Sequence, residues 1–505
     1  MRIASAIAFV LFGLAALVQG NDPDSGIWIS AYLVAAGTAV AAFFGRVSVA
    51  VSAALAVVYG AAAWSQLPVG ADLGSLSLSS FGMSSLEVEE MREALGLAIV
   101  TVWMVVLCLR GLVVRPGAAA AVVLLACAPL GCSANAPGQS STVHGVEPDA
   151  VEVPETPESR LVPRTRVVTG IENPRGMLPR EGGAMLVSVA GSGDPEDGTG
   201  ALLLFEDRDG DGTFAVDERR VLLGGQVSRN IIDIVRRDEV FGMAGIAEGD
   251  GVTLVSLAYF GGPSTIYRVD GEEVRPWSEV FGNINDLAFD PKRRAWMAVS
   301  SSSDEVVRLQ PDRGSQRILK VPPLEQGQDP VPGYLRHDPR TGDLLVSLFS
   351  GSTRGEEGGV GTELVRGSGG VVRVDPDTGD MRWLVRGLTA PTDLEIGPDG
   401  RLYVLEFCSH FEDPFAAGAD MWRSASHGGF RRFSGRLLAI DRDSGEVEVV
   451  AEGLDGPTNL ALRGRDLYIA QGMGTPGRPI PGPDGTVPLT GFIEKIELPG
   501  PREGA

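Results

Sequence analysis

A unit recurring roughly every 50–65 residues over positions 164–498 constrains this chain more than any other feature. Each copy opens with a short polar–apolar string. The strings are Asn173-Pro-Arg-Gly-Met177, Asn230-Ile-Ile-Asp-Ile234, Asn283-Ile-Asn-Asp-Leu287, Pro332-Gly-Tyr-Leu-Arg336, Ala390-Pro-Thr-Asp-Leu394 and Gly456-Pro-Thr-Asn-Leu460. Three more short apolar strings follow in each copy, separated by Gly, Asp and Pro turns. Four short strands per copy make a propeller blade, so six copies predict an all-β, six-bladed propeller of four-stranded blades. The string Arg166-Val-Val-Thr169 precedes the first copy without a partner and resembles the fourth strands elsewhere. It is expected to complete the last blade and remove the exposed edges of an open ring. Residues 499–505 form a tail.

The preceding residues have a different composition. Positions 3–18, 28–44, 47–64 and 94–114 are apolar and approach the length needed to cross a hydrocarbon layer of about 30 Å. Arg2, Arg46, Arg110 and Arg115 fall on one side if the chain starts inside, and the acidic residues fall mostly on the other. The expectation is an α-helical transmembrane bundle over residues 1–115. A fifth apolar segment, 116–132, ends in Pro-Leu-Gly-Cys-Ser. It reads either as a fifth span or as a lipoprotein-like export signal with Cys132 as the lipidated residue, Cys127 being a second candidate. Both readings place the propeller on the extracytoplasmic side of the cell membrane. Residues 133–163, rich in Ser, Pro, Glu and Thr, read as a flexible, disordered tether.

Two family resemblances follow. Gln19-Gly-Asn-Asp-Pro-Asp24, with Trp28 and Tyr32, resembles the signature of the transmembrane protein 220 family, which implies four helices and no defined activity. Pro332–Leu348, Val371–Gly379 and Pro391–Glu406 resemble the NHL-type propellers of scytonemin biosynthesis, within the TolB-like and glucose/sorbosone dehydrogenase-like grouping. That resemblance implies the fold; because propellers host many activities, it leaves function open.

The formal charge of −22 lies mainly in the C-terminal part and excludes nucleic acid as a partner, since such binding needs basic patches. Asp207-Arg-Asp209-Gly-Asp211-Gly-Thr213, followed by Glu218, fits the D-x-D-x-D-G-x5-E pattern. Calcium needs six to eight oxygens, and alternate residues of a tight loop can aim carboxylates inward. Asp207, Asp209, Asp211, the Thr213 carbonyl and Glu218 are therefore candidate ligands for a structural calcium ion; an acidic surface turn is the alternative.

The longest loops fall between second and third strands, at 190–200, 349–370, 406–435 and 471–491. All lie on one face, where binding is expected. Near that face or along the channel fall Arg175, Asn230, Asp286, Arg336, Asp393, Arg431 and Asn459. Glu406, His410 and His427 share one loop system and are the candidates for a catalytic base or metal ligands. The reading is a membrane-anchored propeller that binds a small molecule or a protein. The alternatives are an enzyme of the quinoprotein sugar dehydrogenase class, with pyrroloquinoline quinone (PQQ) near His427, Arg431 and Arg432, and a metal-dependent lactonase using Asp286, Asn230, Asp393 and Asn459.

Overall fold

The computed structural model describes residues 2–18, 25–44, 46, 48–65, 86–114, 150–231, 238–259, 262–311, 314–324, 327–351, 365–410, 430–482 and 485–501. The chain divides into two compact units, Met1–Pro137 and Gly138–Ala505.

Among the described residues the first unit contains four helices, α1 (Arg2–Val18), α2 (Ser25–Phe43), α3 (Val49–Ser65) and α4 (Leu86–Val114). None contains proline, and alanine, the best helix former, is frequent. Small residues, Ala35, Ala36, Ala39, Ala42 and Ala63, fill the interior around Phe12, Tyr32, Tyr59 and Met104. Many other large apolar side chains point outward: Phe9, Leu11, Leu33, Phe44, Val58, Val102 and Leu109 are all exposed. Tyr59 Oη donates to the Ala31 carbonyl at 2.7 Å. Among the described residues, no helix is long and apolar enough to cross a membrane. This corrects the expected bundle of spans. At about 1.5 Å per residue, the 17 residues of α1 and of α3 fall short of the hydrocarbon thickness. The longer α4 begins with Glu87, Glu89, Glu90, Arg92 and Glu93. The segment 116–132, with Cys127 and Cys132, lies outside the described residues.

The second unit is the six-bladed propeller. Blade 1 is β4 (Pro174–Pro179), β5 (Ala184–Val189), β6 (Gly200–Glu206) and β7 (Arg219–Gln226). A two-strand hairpin, β8 (Arg229–Asn230) with β9 (Val240–Phe241), precedes blade 2. Blade 2 is β10 (Met243–Gly249), β11 (Val252–Leu257), β12 (Pro263–Asp270) and β13 (Glu273–Phe281). Blade 3 is β14 (Ile284–Asp290), β15 (Ala295–Ser300), β16 (Glu305–Gln310) and β17 (Gly314–Lys320). Blade 4 is β18 (Pro332–His337), β19 (Leu344–Leu348), β20 (Gly369–Val374) and β21 (Met381–Leu388). Blade 5 is β22 (Pro391–Ile396), β23 (Leu402–Glu406), β24 (Gly435–Ile440) and β25 (Val447–Leu454). Blade 6 takes β26 (Asn459–Arg463), β27 (Asp466–Gln471) and β30 (Gly491–Glu497), with the hairpin β28 (Pro479–Gly482) and β29 (Gly485–Pro488) between the last two. Its fourth strand is β3 (Thr165–Ile171), which pairs antiparallel with β30 and closes the ring as the sequence leads one to expect.

Second strands read as unbroken apolar runs because both their faces are covered by neighbouring blades. Every residue of β19 and of β23 is buried, whereas the outermost β13 is mostly exposed or half-buried. Hydrophobic clusters lie between each pair of adjacent blades, the last and first included, where Val168, Met177, Tyr468 and Ile493 meet. Turns on the short-loop face repeat one device. Asp375 and Asp441 each accept backbone N–H groups two and three residues on, and Gly379 and Gly445 then take positive φ to end the turn.

Two sequence expectations change. The second blade opens at Met243, not at Asn230, which lies in the inserted hairpin. Part of the expected tether is ordered: β1 (Val151–Glu152) adds in parallel to β21, and β2 (Glu158–Ser159) adds in parallel to β25. A strap thus runs along the outer edges of blades 4 and 5 before entering blade 6. Backbone N–H groups need partners, and the open outer edges supply them even to a polar segment.

Candidate functional site

The first strand of each blade faces the propeller axis, so its polar residues converge there. Arg336 on β18 is the hub. Its guanidinium reaches Asp286 of blade 3 at 2.6 Å, Asp393 of blade 5 at 3.1 Å and Glu395 at 2.7 Å. Asp393 also accepts from Asn459 Nδ2 at 2.6 Å and from the Leu460 and Leu394 N–H groups, each at 2.7 Å. Burial pushes the Asp286 carboxyl above its usual range and the Asp393 carboxyl well above it; Arg336 opposes both shifts. The sequence-selected residues Asp286, Arg336, Asp393 and Asn459 are therefore brought together, but around a guanidinium. The two carboxylates expected to hold a lactonase metal already face the cation of Arg336, and Asn230 lies elsewhere.

Arg175 on β4 is a second axial cation with a different environment. It is 4% exposed. Nη1 makes only long contacts, 3.5 Å to the Val240 carbonyl and 3.6 Å to Met473 Sδ, and the group stands 5.7 Å from the Phe241 ring. Among the described residues its Nε has no partner and no carboxylate pairs with it. The buried carbonyl oxygens of Asn283, Asn285 and Asn459 are likewise unpartnered among these residues. Tyr334, fully buried on β18, lies between the two cations, its hydroxyl 3.5 Å from the Arg175 carbonyl; burial raises its phenol well above the usual range. Polar residues in the opening strings signalled this region, but nothing in the sequence distinguished the paired arginine from the unpaired one.

The long-loop face departs from expectation in several places. Glu406 ends β23 wholly buried, its carboxylate held by Arg436 and by the Thr389 N–H at 2.6 Å. It is a structural ion pair rather than a free base. His410 is exposed, with Nδ1 2.8 Å from Ser409 Oγ; partial burial and the charges of Arg366, Arg431 and Arg436 lower its pKa. Arg431 is exposed beside it, its N–H bonded to the His410 carbonyl. His427 lies outside the described residues. Arg432 is buried in a two-pronged pair with Asp455 at 2.7 and 2.6 Å, so it does not fit the role of a quinone-binding cation. Asn230 donates to Asp238 at 2.6 Å and to Thr475 Oγ1 at 3.0 Å. Asp238 also pairs with Arg478 at 2.8 Å. These residues tie the β8–β9 insertion to the last long loop, a role that sequence reading missed.

The acidic loop joins β6 to β7 on the opposite face. Ligand oxygens of Asp207, Asp209 and Asp211 lie within 4.8 Å of one another. Asp207 accepts from the Gly210 and Gly212 N–H groups at 2.7 and 3.1 Å and Asp209 from the Asp211 N–H; Asp211 accepts from the Thr213 hydroxyl and N–H, bonds that lower its pKa. Buried Glu218 accepts from the Arg208 and Ala215 N–H groups at 2.7 and 2.9 Å. Phe214 fastens the loop to the closing strand through its N–H to the Val167 carbonyl, 2.7 Å. A cluster of hard oxygens on alternate residues fits the requirements of calcium, and Asp207, Asp209 and Asp211 are the residues that could hold it.

Fold and site together define a six-bladed propeller with a polar axis, preceded by an apolar helical unit. Residues 11–109 match the family model described as transmembrane family 220, helix. No curated protein matches the chain. Among solved structures, the chain is similar to a structural genomics protein of unknown function from Bacteroides thetaiotaomicron, at 14% identity and TM-score 0.41, covering 69% of this chain and 74% of that one. It is similar also to a putative oxidoreductase (glucose dehydrogenase) from Thermus thermophilus, at 15% identity and TM-score 0.41, covering 66% and 100%. A third is a virginiamycin B lyase from Staphylococcus aureus, at 9% identity and TM-score 0.37, covering 67% and 99%. These likenesses concern fold alone.

Proposed function

We propose that this protein is a membrane-anchored, extracytoplasmic β-propeller that binds a small anionic ligand at its axis, beside Arg175. The observation that carries the reading is a buried guanidinium with no carboxylate partner among the described residues, in a protein of net charge −22. A stranded buried charge is destabilising by several kcal/mol unless a counter-ion reaches it. The same axis gives Arg336 three carboxylates, so the missing acid at Arg175 is a local property of the site.

Anchoring is supported by the helical unit's apolar surface, on which large side chains such as Phe9, Leu33, Val58 and Val102 are exposed. The family match over residues 11–109 and the one-sided arginines support it further. The acidic loop holds a structural calcium ion in this reading, on the face away from the long loops. Calorimetric titration of malonate into the detergent-solubilised full chain tests the ligand proposal. Saturable 1:1 binding is expected, and Arg175→Met should abolish it while raising Tm in anion-poor buffer. Unchanged binding in the variant overturns the reading.

A further inference from the structure

Resting on the axial reading, we propose that residues 473–478 and 238–241 form a gate over Arg175, held shut by Asp238, which opens to admit the anion.

The gate comes from the two sides of blade 1. Residues 473–478 follow β27 in the long loop of blade 6, and residues 238–241 close the inserted hairpin ahead of blade 2. Blade 1 packs between those two blades, and Arg175 is the second residue of its first strand. Both segments touch the guanidinium. Met473 Sδ comes from one, and the Val240 carbonyl and the Phe241 ring come from the other. With both in place the residue is 4% exposed, so a solute reaches the guanidinium only when one of them moves.

One carboxylate joins the two segments. Asp238 Oδ1 accepts from the Thr475 N–H at 2.9 Å, from the Thr475 hydroxyl at 2.8 Å and from Asn230 Nδ2 at 2.6 Å. Its Oδ2 accepts from Arg478 Nη1 at 2.8 Å. Asp238 and Arg478 are both buried, and a charged hydrogen bond shielded from water is among the strong ones. The seat of the loop on blade 1 is neutral by contrast. Asn173 Nδ2 donates to the Gly474 carbonyl at 2.8 Å, and the Gly474 N–H donates to Asn173 Oδ1 at 2.7 Å. Closure is thus concentrated in one charged group, and weakening that group frees both segments together.

The loop also has places to bend. Gly472 and Gly474 flank Met473 with φ of 94° and 129°. Glycine moves between such conformations and ordinary ones at little steric cost. The segment against Arg175 therefore opens locally, while the blades beneath it stay paired.

The test measures access to position 175 with no axial ligand present, so it fails independently of the anion reading, which the malonate titration judges. Arg175→Cys puts a thiol beneath the gate and disturbs it little, because the polar contacts it removes are 3.5 and 3.6 Å long. The full chain is treated with a small anionic methanethiosulfonate, and position 175 is read by peptide mass spectrometry, apart from the native cysteines. Val346→Cys, wholly buried between blades 3 and 4, reports global unfolding in a parallel sample. Position 175 should label at least about tenfold faster than position 346, and at least about tenfold slower than in the unfolded chain. Adding Asp238→Asn should speed labelling at 175 about tenfold, and the milder Thr475→Val several-fold, with position 346 unchanged. Where Asp238→Asn does not fold, Thr475→Val carries the same test. Labelling at 175 as fast as in the unfolded chain, no faster than at 346, or indifferent to the substitutions overturns the proposal, as does an acceleration matched at 346.

Discussion

Arg336→Met is the perturbation whose size is best worked from the structure. It removes the one cation shared by Asp286, Asp393 and Glu395, whose side chains are 2%, 0% and 18% exposed. Asp393 keeps three donors, Asn459 and the Leu394 and Leu460 N–H groups, and Asp286 keeps the Leu335 N–H at 3.2 Å. Charge is therefore lost more completely than hydrogen bonding. Breaking a buried pair from one side costs about 3–5 kcal/mol. A domain of about 350 residues has an unfolding entropy near 0.7 kcal/mol per degree, so Tm should drop by about 4–7 °C at pH 8.

The pH dependence of that loss has a definite sign. Folding raises the pKa of Asp286 and Asp393. Between the unfolded value, about 3.9, and the raised value, the folded state holds more protons than the unfolded one. These groups leave stability intact in acid and erode it as pH rises. Removing Arg336 raises both pKa values further, so the deficit should be large at pH 8 and clearly smaller at pH 5. Differential scanning calorimetry of the full chain at both pH values measures this. An equal loss at the two, or a loss under about one degree at pH 8, refutes the shared-cation account.

Other expectations can be checked more simply. Titrated calcium should bind the parent chain, and Asp209→Ala and Glu218→Ala should each weaken it at least about tenfold; three identical isotherms remove the calcium assignment. Burial, reinforced by Glu406, pushes the Cys408 thiol well up, so it should resist maleimide until the chain is unfolded. Rapid labelling of Cys408 itself in the native protein, resolved from Cys108, Cys127 and Cys132 by peptide mass spectrometry, would show that the aromatic cluster of Phe349, Phe407 and Phe430 around Cys408 does not seal it. Partial burial and the nearby arginines hold His410 below its usual range, so its NMR titration midpoint should fall below about 6.5. A higher midpoint contradicts that charge environment.

How far the sequence reveals this molecule depends on whether a feature is periodic. The blades were legible because inner strands must be apolar on both faces and turns must carry Asp and Gly. The closing strand was legible because a lone β-rich string needs an edge. The second blade was misplaced because Asn230-Ile-Ile-Asp-Ile234 mimics a first strand, while the true one, Met243–Gly249, carries two glycines and no polar signature in its core positions. The strap escaped because its pairing uses backbone groups of two-residue strands in a polar segment. At the axis, Asp286, Arg336, Asp393 and Asn459 could be selected by type and position. Their partners could not, because each pair joins two neighbouring blades across 50 or more residues of sequence.

The proposed axial site requires that the Arg175 guanidinium be completed by an anion from solution. Anomalous diffraction at the bromine edge, from crystals of the full chain soaked in sodium bromide, addresses it most directly. A bromide peak within hydrogen-bonding reach of the Arg175 guanidinium, absent in Arg175→Met crystals, is the expected result. A guanidinium engaged by one of the protein's own carboxylates, with no bromide beside it, would contradict the claim.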